Sequence, residues 1–298
     1  MEQAKRQAES TQTELPCRIV KRKNDAAGSS NGARGVTSRL FWEDKAPGYP
    51  HPFEEDILSF TEAVSGIIEE RCLSIKGAKI LDIGCGTGAF ALPLALQGAS
   101  VTALDISENM LKRLTAEAQH RGIHGVKTIR DSWKKIDPHN AGLSGRFDVV
   151  LSALSIAVGT KKDILKMEEC SKQWCICIAS GKIRRSALCE QILRVFRAPL
   201  NPRPDIRKIR ETLEDLGRTF SYESFAVTER EKKTPVQLAE GVAKRLAASG
   251  KIPNRPRILA TILALFNGYV GEDSAIECEL SSDMGILMWR PDRTDYED

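Results

Sequence analysis

The chain has 298 residues, 41% of them apolar and 28% charged, which is enough to bury a sizeable core in one large domain or in one domain with an attached lobe. Its 44 basic and 40 acidic residues are spread along the chain, and a formal charge of +4 implies no nucleic-acid partner without a concentrated basic face. No stretch approaches the roughly 18 to 20 uncharged apolar residues of a membrane span, and the N-terminus lacks a secretory core, so a cytoplasmic protein without membrane contact is expected.

Residues 1–36 are rich in Gln, Ser, Asn, Gly, Lys and Arg, bury too little to offset the entropy of ordering, and read as a mobile arm. Residues 37–75 read as an N-terminal helical lid segment. Its helix spans Phe53 to Cys72, with Ile57, Phe60, Val64, Ile67 and Ile68 at helical spacing. From residue 76 strand and helix alternate: strand Lys79 to Ile83, helix Ala89 to Gln97, strand Ser100 to Leu104, helix Ser107 to Arg121, strand Val126 to Arg130. Ser107 is a natural N-cap for its helix, and Gly122 stands just past the end.

A strand at Phe147 to Leu151, a helix at Lys161 to Ser171 and a strand at Trp174 to Ala179 continue the pattern. Helices are expected at Ile183 to Arg197 and Asp205 to Leu216, and closing strands at Thr219 to Val227 and Gly285 to Trp289. Between those strands, Pro235 to Ala248 and Arg255 to Phe266 form a helical insertion at about 231–270 within a domain of residues 76–298. Such order predicts a Rossmann-like α/β fold: a mostly parallel sheet with helices on both faces.

The first strand runs through Asp82 into Gly84-Cys85-Gly86-Thr87-Gly88 and then into a helix. Glycines at such a junction let the backbone turn tightly and let a nucleotide-like ligand lie against it. With Ala89 the run even satisfies the dinucleotide pattern GxGxxA. Asp82 argues against that reading. Beside a bound pyrophosphate its charge would cost roughly a few kcal/mol in a partly dry cleft. Against the cationic amino group and sulfonium of S-adenosylmethionine the same charge is favourable.

Asp105 ends the second strand, twenty-one residues after Gly84, where an acid accepts hydrogen bonds from ribose hydroxyls. Asp131 follows the third strand and is placed to accept a bond from the adenine amino group, with Trp133 nearby to cover the ring. On LDIGCGTG, Asp105, Asp131 and FDVVLSALS, residues 79 to about 155 resemble the class I S-adenosylmethionine-dependent methyltransferase family. The resemblance implies a sheet of about seven strands with an antiparallel edge pair. It also implies that Asp82, Gly84, Cys85, Gly86 and Gly88 flank the methionine half of the cofactor. By the same match Asp105 and Ile106 sit at the ribose, and Asp131 and Ser132 at the adenine.

Phe41-Trp42, followed by Glu43, Asp44, Lys45 and Ala46, is similar to an aromatic entry segment of some bacterial members. Trp42 is therefore read as part of a lid over the cofactor, with packing of the first helix onto the sheet as the other reading. The segment around Ser152 and Ser155 is where family members contact the acceptor. It lacks the Asn/Asp-Pro-Pro-aromatic signature that holds base amines, which disfavours a nucleic-acid acceptor. Methyl transfer to a small molecule is expected, with RNA or protein methylation, or cofactor binding without catalysis, as alternatives. No His occupies an obvious base position, and Cys170, Cys175, Cys177 and Cys189 lack metal-ligand spacing, so no metal is expected. The basic clusters at Lys21 to Lys23, at Lys182 to Arg185 and at Arg203 to Arg210 read as solvated surfaces.

Overall fold

Asp82 and Asp105 owe their proximity to the order in which the strands assemble. The computed structural model describes residues 39–71, 74–198, 205–248, 251–266, 271 and 273–292; the expected arm at 1–36 lies outside them. Strands β1 (Lys79–Ile83), β2 (Ser100–Asp105), β3 (Val126–Arg130), β4 (Phe147–Ala153), β5 (Ser171–Arg185), β6 (Phe220–Lys233) and β7 (Ile276–Trp289) form one sheet in the order β3-β2-β1-β4-β5-β7-β6. The first five are parallel. β7 then runs antiparallel to both β5 and β6, which is the expected edge pair.

The order in which strands are added reverses about β1, with β2 parallel to it on one side and β4 parallel to it on the other. That reversal opens a crevice at the carboxyl ends of these strands, the general ligand position in open α/β sheets. Asp82 pairs in register with Ala103 of β2 and Leu151 of β4, and Asp105 with Arg130 of β3.

Helices cover both faces. α2 (Glu55–Arg71), α3 (Ala91–Leu96) and α4 (Glu108–His120) pack Phe60, Val64, Leu92 and Leu114 on one face with Ile80 and Val101. α5 (Lys161–Cys170) and α7 (Ile206–Asp215) pack Ile164, Met167, Ile209 and Leu213 on the other with Leu81 and Ile83. Alternation along β1 thus feeds both cores. Local chemistry sets the helix starts: Ser107 caps α4, and Thr160 with Asp163 forms a capping box on α5.

Beneath the second face, Glu168 is bound by two parallel hydrogen bonds from Arg218, both 3.0 Å, and accepts a third from the Trp289 indole at 2.9 Å. Arg218 also reaches Asp292 at 3.0 Å. This buried network fastens α5 to the last strand of the sheet.

Three strands, β5, β6 and β7, are longer than expected. Ile183 to Arg185 do not begin a helix; they continue β5 opposite Leu280 to Ser282 of β7, and α6 (Ala187–Val195) starts after them. β6 and β7 are both 14 residues long, so the pair projects well beyond the parallel strands. α8 (Pro235–Ala248) and α9 (Arg255–Leu265) sit at the far end of that ribbon and join α6 in a separate small core of Ile192, Val242, Leu246, Ile258 and Ile262. No helix among the described residues is long and apolar enough to cross a membrane.

Candidate functional site

β1 ends at Ile83 and the chain turns through the glycine-rich loop to α3. Gly84 and Gly86 adopt φ of 72° and 56°, the left-handed region that costs an L side chain roughly 1–2 kcal/mol. A Cβ on Gly84 would also lie 1.9 Å from Ser155 Oγ, so no larger residue fits. At Gly86 a Cβ would meet only the Tyr49 ring at 3.5 Å, which leaves the backbone open to an approaching ligand. Gly88 lets Leu92 and Leu114 press against the loop from behind.

Amides pin the loop to β2. Gly84 and Cys85 both donate to the Leu104 carbonyl, at 2.7 and 3.1 Å, and Gly86 donates to Asp105 Oδ2 at 2.9 Å. The other oxygen of Asp105 accepts from the Ser107 amide at 2.8 Å. Burial raises the Asp105 pKa despite these amide bonds, and the charge of Glu43 adds to the shift.

Asp82 is 2% exposed, and its Oδ2 has no hydrogen-bond partner. Burial, reinforced by the charge of Asp105 and opposed by the Ala91 amide, lifts its pKa to about 7. A buried acceptor left unpaired costs roughly 1–3 kcal/mol in the protein alone. A ligand that brings a cationic donor to Oδ2 removes that cost, whereas a phosphate raises it. The residues present therefore fit an amino-acid-bearing sulfonium better than a dinucleotide.

Asp131 lies in the open at the end of β3. Its amide donates to the Asp105 carbonyl at 3.1 Å, and its Oδ1 accepts from the half-buried Ser132 at 2.6 Å. Ile106, half-buried, follows Asp105 directly. The expected role of Trp133 as a ring cover is corrected. Its side chain is 2% exposed inside the core with Leu143 and Phe147, and Lys166 Nζ stands 4.7 Å from the ring centroid. Its apolar area is better satisfied there than at a wet cleft wall.

Across the crevice, β4 delivers Ser152, buried at 3%, and then turns at Leu154, whose φ of 54° is rare for a residue other than glycine. The Leu154 amide is held by the Ile178 carbonyl at 2.8 Å. The turn folds Ser155 back over Gly84, where its Oγ accepts from the Ala157 amide at 3.2 Å. A strained turn of this sort beside a ligand loop is a common mark of a functional segment, and nothing in the residue types of this leucine signals it.

Residues 80–173 match the family described as methyltransferase domain. Over these residues the chain carries a methyltransferase domain. Similar curated proteins include an uncharacterized protein of Haemophilus influenzae, 41% identical over 29% of this chain and 31% of its own length. Another is the ubiquinone biosynthesis O-methyltransferase of Escherichia coli, 36% identical over 28% of this chain and 34% of its own. The chain thus spans about a third of the length of the curated relatives it matches. Among solved structures, a putative methyltransferase from Bacillus halodurans aligns over 79% of this chain and 99% of its own, with TM-score 0.53 at 14% identity. The YcgJ protein of Bacillus subtilis aligns over 80% and 100%, with TM-score 0.51 at 13% identity. At such identities the likeness is one of fold.

The methyltransferase domain match covers the loop, the three acids and β4, and leaves out the ribbon with its helical lobe and the segment before β1. That preceding segment is where α1 (Arg39–Lys45) lies, followed by a short 3-10 turn (Ala46–Gly48). Both pack on α4. Trp42 meets Phe41 edge-on at 5.1 Å and Tyr49 at 6.3 Å, and Tyr49 in turn faces Gly86. Thr87 Oγ1 donates to the Pro50 carbonyl at 3.0 Å. The Phe41-Trp42 pair thus stands next to Tyr49, the ring nearest Gly86.

His51 pairs with Glu117 at 2.7 Å, and His120, His124 and His139 are exposed. Cys85, Cys170, Cys175 and Cys177 are buried free thiols, and burial pushes the pKa of each upward, Cys170 to about 12. Among the described residues no three His, Cys, Asp or Glu side chains converge on a common point. Side chains of the basic cluster at 182–185 lie outside the described residues.

Proposed function

We propose that the chain is an S-adenosylmethionine-dependent methyltransferase acting on a small-molecule acceptor. One observation carries the cofactor: the buried, unpartnered Oδ2 of Asp82 at the mouth of an open glycine loop. Bound S-adenosylmethionine supplies an electrophilic methyl group on a cationic sulfur.

In this reading Asp82 receives the amino group, and Gly84, Cys85, Gly86 and Gly88 leave room along the methionine chain. Asp105 and Ile106 receive the ribose, and Asp131 and Ser132 the adenine. Ser152 and Ser155 orient the acceptor. In-line displacement needs alignment and exclusion of water more than it needs a base, and the segment Trp42 to Pro50 supplies a cover over the loop.

The absence of a base-amine signature after β4 favours a small acceptor, as does the relative named for ubiquinone biosynthesis. A tritiated-methyl assay on cell extract, separated into metabolites, RNA and protein, tests this. Label in the metabolite fraction is expected; label confined to RNA or protein contradicts the acceptor class, and no label in any fraction contradicts catalysis.

A further inference from the structure

Helix α4 is capped from two directions. Ser107 accepts from its own helix at the Met110 amide, 3.2 Å. The next two amides are served from α1: Glu108 donates to Glu43 Oε1 at 2.9 Å and Asn109 to Glu43 Oε2 at 2.8 Å. The Ser107 hydroxyl also donates to Glu43 Oε2, at 2.9 Å. One carboxylate on α1 thus binds three donors at the start of a helix more than sixty residues away.

Ser107 links this cap to the site. Its amide holds Asp105 Oδ1 while the Gly86 amide holds Oδ2, so both carboxylate oxygens are oriented by backbone donors. The relay reads Glu43, Ser107, Asp105, Gly86. Further along α4, Arg113 donates to the Ala46 carbonyl, Glu117 binds His51, and Arg121 stacks on Phe53 with 3.9 Å to the ring centroid. Asn109, Arg113, Glu117 and Arg121 recur every fourth residue, one strip of the helix gripping residues 43–53 as a strap.

Electrostatics alone does not explain Glu43. Burial opposes its charge, but the amides of Asn109 and Glu108, the Ser107 hydroxyl and Arg39 outweigh it and lower the pKa, so it stands ionised near neutrality. There its charge works against that of Asp105. Helix-terminal amides stabilise a carboxylate in this position, and what the arrangement provides in return is orientation.

We infer that Glu43 is a positioning residue which, through Ser107, fixes Asp105 in the orientation that receives ribose hydroxyls, so that docking of the Glu43 end of the strap and gripping of the ribose are coupled. The inference rests on the cofactor reading above. Calorimetric titration with S-adenosylhomocysteine and its 2′-deoxy analogue tests it on the full chain, on Glu43→Ala, on Glu43→Gln and on His51→Ala, with folding checked by thermal melting.

The wild type should prefer the ribose compound by roughly tenfold, the worth of one hydrogen bond to a charged group. Glu43→Ala should lose most of that preference. Glu43→Gln, which keeps one acceptor oxygen, should retain part of it and serves if the alanine variant fails to fold. His51→Ala cuts a lower rung of the strap and should keep the preference. If Glu43→Ala and Glu43→Gln bind both compounds as the wild type does, or weaken both equally, the positioning role is wrong. A wild type that binds neither compound overturns the cofactor reading, and this inference with it.

Discussion

Asp82 and Asp105 lie at the carboxyl ends of neighbouring parallel strands, and burial, reinforced by the charge of Asp105, lifts the Asp82 carboxyl to a pKa of about 7. Two acids this close burden the unliganded protein, and a cation between β1 and the loop relieves both burial and repulsion.

The first prediction concerns stability. Asp82 titrates at about 7 in the folded chain against 3.8 when unperturbed, so the folded state binds its proton more tightly. The stability gained from the protonated form is fully present below about pH 3.8 and is lost as pH rises towards 7, a loss on the order of 4 kcal/mol. Asp82→Asn should therefore raise the melting temperature at pH 8 and leave it nearly unchanged at pH 4. Equal effects at both pH values would refute the burial argument.

Cofactor binding should also release a proton. A cation at Oδ2 favours the ionised form, so at pH 6 the calorimetric enthalpy should vary with the ionisation enthalpy of the buffer, and affinity should climb between pH 6 and 8. Buffer-independent heats at pH 6 would place the cation elsewhere.

Gly84 and Ser155 give a steric test. Gly84→Ala combines a left-handed backbone with a contact of 1.9 Å and should cost roughly 2–4 kcal/mol. Adding Ser155→Gly should recover the steric share and leave the backbone share. Urea unfolding of the single and double variants measures the two separately; strictly additive effects would mean that the side chains do not meet.

The Glu168 network should matter most for stability. Removing one partner strands a buried charge, so Glu168→Ala should cost about 3–5 kcal/mol. A thermal melt within two degrees or so of the wild type would show the network to be dispensable.

Much of this was legible before any coordinates. The alternation of strand and helix follows from local spacing, and the glycine loop with Asp82, Asp105 and Asp131 follows from residue types at strand ends. What stayed hidden depends on partners distant in the chain. Ile183 to Arg185 satisfy helical spacing, yet pairing with β7 keeps them extended. Trp133 stands beside an exposed acid, yet the core that swallows it includes Leu143 and Phe147. Glu43 carries no signal that it caps a helix starting 65 residues later, and the strained turn at Leu154 is set by Ile178 on a neighbouring strand.

The most direct test is parallel calorimetric titration of the full chain with S-adenosylmethionine, S-adenosylhomocysteine and NAD. Binding of both sulfur compounds, abolished in Asp82→Asn and in Asp105→Ala, with no heat from NAD, is the expected result. Tight binding of NAD with none of the sulfur compounds would contradict the account at its centre.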